Sequence, residues 1–101
     1  TQAEIDLARD RALEHHKLAI RGAEIRAEAV EKNLADLRTR IANIEKSGRP
    51  VGPGLQEQMA QSTKESLDLK RTILNNEDAM EKVRAKYAAD KARFLELTAK
   101  P

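Results

Sequence analysis

The chain is predicted to be all-α, two long helices folded back on each other as an antiparallel coiled-coil hairpin. Three observations predict this. The strong helix breakers crowd into one place, at Gly48, Pro50, Gly52, Pro53 and Gly54, and elsewhere only Gly22 interrupts the chain before Pro101. On both sides of the break, apolar residues recur at alternating spacings of three and four, the heptad seam of a coiled coil. The composition agrees: 36% of residues are charged and 2% aromatic. Such a mixture suits long helices better than a globular core, which anchors on large buried side chains.

The first helix is expected over about residues 2–47. Thr1 and Glu4 have the spacing of a capping box, so the helix starts at once. Its seam runs through Leu13, His16, Ile20, Ala23, Ala27, Val30, Leu34, Leu37, Ile41 and Ile44, with His16 the only non-apolar member. Gly48 can close the helix in a left-handed conformation, and Pro50 forbids its continuation. The turn is expected over 48–54, with Pro53 suited to the first turn of a new helix. The second helix is expected over about 55–98. Its seam runs through Leu55, Met59, Ser62, Ser66, Leu69, Ile73, Asn76, Met80, Val83, Tyr87, Asp90, Phe94 and Leu97. The 101 residues make a single hairpin domain.

A turn centred near Pro50 sets an expected register. Ser62 faces Leu37 and Ser66 faces Leu34, while Ala27 faces Ile73, Ala23 faces Asn76, Leu13 meets Tyr87 and His16 lies opposite Val83. Small residues then oppose large ones, which fills an interior without voids. Arg9 meets Asp90, a polar pair expected to fix register. Asn76 either adds to that specification or reaches solvent beside Ala23. Glu28 with Lys32, Asp36 with Arg40, and Asp78 with Lys82 are helical ion pairs in the favourable order and mark solvated faces.

Charge and composition bound the function. Lys and Arg number 19 against 17 Asp and Glu, a net charge of +2 with the signs interspersed. That predicts no nucleic-acid partner, which a concentrated basic surface would serve. There is no cysteine, so no disulfide and no thiolate chemistry. No apolar run approaches the roughly 18 residues of a membrane span. The start at Thr1 without Met predicts a processed protein or an excised segment.

No residue set predicts catalysis, a cofactor or a metal. The only histidines, His15 and His16, are adjacent, and so point about 100° apart on a helix, unlike a chelating i, i+4 pair. Tyr87 and Phe94 fall in the seam and read as packing, not as a platform for stacked bases. The GRPVGPG break lacks the Lys–Ser/Thr ending of a phosphate loop. It reads first as a simple turn, although Arg49 and Val51 at the tip are placed to touch a partner. Leu18 and Ile25 lie seven apart on the face opposite the first seam, and Leu67 and Leu74 lie just outside the second. Ile25 and Leu74 are expected at one height, so the four form a candidate interaction patch closing two hairpins into a four-helix bundle.

From AEIDLARDRAL through EKSGRPVGPGLQEQ to KVRAKYAADKARFLEL, the whole chain resembles the C-terminal segment of a group of proteobacterial envelope proteins. Those proteins carry a signal peptide, a small N-terminal domain of unknown function, and then a charged helical hairpin. The resemblance rests on Ile5, Ala8, Arg9, Asp10 and Arg11, on the turn Gly48–Arg49–Pro50–Val51, and on Arg84, Arg93, Phe94 and Leu97. The chain departs from the pattern at His15–His16 and at Gly52–Pro53–Gly54. The resemblance implies a periplasmic or cell-envelope location in a Gram-negative bacterium and a further N-terminal domain. It carries over no catalytic or binding residue.

The expected function is therefore a non-enzymatic structural or protein-interaction module that pairs with itself, as a homodimer, or with another protein. The alternative is a chaperone-like or adaptor hairpin holding a client helix along the Leu67–Leu74 stripe.

Overall fold

A computed structural model describes residues 1–99 and shows an all-α helical hairpin of two helices, α1 (Gln2–Lys46) and α2 (Pro53–Thr98). The capping box forms as expected. The Glu4 backbone N–H donates to Thr1 Oγ1 at 3.2 Å, and the Thr1 amino group reaches back to Glu4 Oε2 at 3.5 Å. At the far end of α1, the Ser47 hydroxyl donates to the Ile44 carbonyl at 2.6 Å, and Gly48 turns the chain with φ 78°. A side chain at that φ is strained even though nothing crowds the space a Cβ would fill. Gly48→Ala is expected to cost about 1 kcal/mol, read as a lower urea midpoint with an unchanged slope. α2 begins two residues earlier than expected, at Pro53, because Gly52 serves as its N-cap: the Gln56 N–H bonds the Gly52 carbonyl at 3.2 Å.

By packing, the hairpin divides into two units, Gly22–Thr72 around the turn and Thr1–Arg21 with the stretch from Ile73 onward. In the turn unit, Ala23, Val30, Leu34 and Leu37 are buried against α2, with Ser66 the buried polar residue. In the other unit, Leu13 and Met80 are the buried pair. Every member of the α1 seam is withdrawn from solvent, so that expectation holds throughout.

The α2 seam holds as far as Tyr87, and of its expected members beyond that point only Phe94 stays half-buried. Asp90 and Leu97 are exposed, while Lys91 and Phe94 are half-buried. A straight α-helix drifts about 20° per heptad against a strict 3.5 repeat, and over several heptads this turns position 90 outward and brings 91 in. The expected Arg9–Asp90 pair accordingly does not form. Arg9 instead holds Asp6 at 3.2 Å and Asp10 at 3.1 Å, and Asp90 pairs along its own helix with Lys86.

The register also differs from the turn-centred one. In the turn unit, Ser66 Oγ donates to Glu31 Oε1 at 2.7 Å, and Asn33 Nδ2 to Ser62 Oγ at 2.9 Å. Both α1 partners lie about one helical turn before the expected Leu34 and Leu37. Counting back along both helices from the Asn33–Ser62 bond brings Pro53 level with Ala42, about one turn short of the end of α1. The connection explains the offset. Arg49 and Gly52 each precede a proline, which disfavours the helical region and keeps the segment extended. An extended segment rises about twice as far per residue as a helix, so it runs back alongside α1 before α2 starts. Val51 is half-buried there, with its carbonyl accepting from Gln56 Nε2 at 3.2 Å, and so does not project from the tip.

Candidate interaction surfaces

Polar pairs bridge the two helices in both units, and they are not the pairs expected. In the turn unit, the Arg26 guanidinium makes a two-pronged bond to the Glu65 carboxylate, at 2.6 Å from Nε and 2.9 Å from Nη2. These hydrogen bonds, and secondarily the neighbouring positive charge, lower the Glu65 pKa; the Glu65 bond and charge raise that of Arg26. A carboxylate whose folded-state pKa is depressed contributes stability above its unfolded pKa, and loses it as pH falls through the folded value. Because the pair is exposed, the effect is small. Thermal melts across the acid range should show the wild type losing more stability below the usual carboxylate range than Glu65→Gln does. The signal for this pair lay in the flanking positions of the seams, one step outside the positions that carry apolar residues.

In the other unit, His16 Nδ1 lies 2.8 Å from Asn76 Oδ1, both residues half-buried. Asn76 therefore meets His16, a pairing that the turn-centred register did not predict. Asn76 thus has a bonded partner on the opposite helix. His15 packs edge-on against His16, ring centroids 5.2 Å apart. Nearer the helix ends of this unit, Lys91 Nζ reaches Asp6 Oδ1 at 3.1 Å, occupying the role expected of Arg9 with Asp90. Of the expected i, i+4 pairs, Glu28–Lys32 (3.8 Å) and Asp78–Lys82 (3.1 Å) close, whereas Asp36 and Arg40 do not.

A shallow cleft of about 380 Å³ in this unit is floored by Leu13, Tyr87 and Ala88 and rimmed by Arg9, Arg84 and Lys91. Its three cations are each bonded within the chain, to Asp6 and Asp10, to Glu81, and to Asp6 respectively. Lys86 Nζ sits 4.2 Å from the Tyr87 ring centre. Among the described residues, no group of three or more His, Asp or Glu is placed to hold a metal ion, and no helix is long and apolar enough to cross a membrane. At the turn, Arg49 is exposed and folds onto its neighbour, with Nε donating to Ser47 Oγ at 3.2 Å.

The aliphatic candidates are all strongly exposed: Leu18 63%, Ile25 59%, Leu67 56% and Leu74 64%. At about 100° per residue, each stands roughly 140–180° around its own helix from the seam. Leu67 and Leu74 are thus on the back of α2, not beside its seam. The observed register also changes their heights. Beside the His16–Asn76 bond, Leu18 is level with Leu74; beside Arg26–Glu65, Ile25 is level with Leu67. Within each unit the two residues face outward on opposite sides, one from each helix. The structure therefore presents two outer stripes where a single patch was expected.

Compared with known protein families, curated proteins and solved structures, the chain matches none of them.

Proposed function

We propose that the chain is a non-enzymatic structural and protein-interaction module, a helical arm that associates with a second copy of itself through its outer aliphatic side chains. One observation carries this reading. Among the described residues, seven large aliphatic side chains are exposed, while the buried hydrophobic core numbers six residues, one of them only an alanine. Among these described residues no side chain is fully buried. Two helices cannot enclose a core, and burying outer aliphatic surface at roughly 25 cal/mol per Å² is the available route to further stability. The resemblance carried by Gly48–Arg49–Pro50–Val51 supports an envelope setting for this arm.

Sedimentation velocity over a concentration series tests the reading. The wild type should sediment as a reversible dimer, and Ile25→Glu with Leu74→Glu should shift it to monomer with helicity retained. A wild-type monomer at every concentration would remove self-association. The Leu67–Leu74 stripe would then be left for a client helix.

A further inference from the structure

We infer that the self-association surface is the outer stripe of α1 alone, paired antiparallel with α1 of a second copy about a two-fold axis between Ala23 and Glu24. This rests on the self-association reading and adds its geometry. The outer face of α1 carries a second heptad series: Leu18, Gly22, Ile25 and Ala29, spaced four, three and four. All four are exposed, and a Cβ built on Gly22 meets nothing. The back of α2 has no equal to it, because the positions around Leu67 and Leu74 in such a series are Lys70, Arg71 and Asp78.

Size and charge choose the orientation. Antiparallel pairing about that axis sets Leu18 against Ala29 of the second copy and Ile25 against Gly22 of the second copy. Every large residue thereby meets a small one, four layers in all. The next layer sets His15 against Lys32, which ends the apolar stretch. Beyond it Arg11 meets Asp36, and along one flank Arg21 meets Glu28. Each is an opposite-charge pair, repeated twice by the symmetry. Among the described residues, Arg11, Arg21 and Asp36 take part in none of the ion pairs within the chain, and Glu28 has only the 3.8 Å contact to Lys32. A parallel pairing would instead stack Gly22 on Gly22 and Ile25 on Ile25, and would set Arg21 near Arg26 of the second copy.

The chain contains no cysteine, so single replacements report contacts cleanly. Leu18→Cys and Ala29→Cys, mixed and oxidised, should give a disulfide-linked dimer carrying one of each, formed at least ten times faster than in either variant alone. Linking two copies of Leu18→Cys to each other would need about 16 Å of axial travel in this geometry, against the roughly 4.4–6.8 Å between Cα atoms that a disulfide spans. Arg21→Glu should weaken the dimer about tenfold, and adding Glu28→Arg should restore it. A dimer in which Leu18→Cys links to itself, or in which only Leu67→Cys and Leu74→Cys link, would overturn this geometry and leave self-association standing. A monomer in the absence of oxidant would overturn both.

Discussion

Leu34→Ala should lower the unfolding free energy by about 2–5 kcal/mol, the range for deleting a buried leucine. Leu34 is the most buried aliphatic residue described, at 2% exposure, with Val30 and Leu37 on the same seam of α1. Its neighbours are held by two continuous helices, so they have little freedom to collapse into the space a smaller residue leaves. Against a total stability of about 5–15 kcal/mol for a small domain, this is a large fraction. Circular dichroism during chemical denaturation would show the midpoint fall. By contrast, Leu18→Ala removes a side chain that is 63% exposed and should leave the monomer's midpoint almost unmoved. A similar loss in both variants would mean that the seam and the outer face are not distinct.

His16 and Asn76 give the second large effect, and its sign depends on how many partners are replaced. Asn76→Leu alone removes the acceptor from a half-buried His16 and should cost about 1–3 kcal/mol. Replacing both by leucine removes the polar pair and fills the same space with apolar groups, a change that is nearly neutral or stabilising. The double variant should therefore melt at or above the wild-type temperature. Its cost falls on specificity, because a lone polar layer within a seam discriminates between registers. Cysteine pairs placed for the observed register and for one heptad away should cross-link only in the first in the wild type. In the double-leucine variant both should link. If the double variant were as destabilised as Asn76→Leu, the pair would be contributing stability and not register.

Much of the fold was legible because it depends on local chemistry. The capping box at Thr1 and Glu4 and the left-handed Gly48 are settled within a few residues, and both stand where expected. The α1 seam was equally plain, since its period is carried by nine apolar residues among ten. The pairing between helices was less legible. It depends on the path of residues 49–52, and the backbone restriction before Pro50 and Pro53 shifts α2 along α1 by about a turn. Drift of a straight helix against the heptad then exchanged Asp90 for Lys91. Two of the cross-helix pairs were missed for different reasons. Arg26 and Glu65 reach across from the flanks of the seams, and Asp6 lies beyond the first apolar seam residue at Leu13. The outer residues Leu18, Ile25, Leu67 and Leu74 were recognised from spacing alone, but their division into two stripes needed the observed register.

Self-association is the claim on which the proposed function rests, and light scattering coupled to size exclusion across a concentration series tests it most directly. A self-associating hairpin gives a helical species whose mass approaches twice 11.3 kDa as concentration rises and returns to 11.3 kDa on dilution. A mass that stays at 11.3 kDa throughout, with full helicity, would contradict self-association.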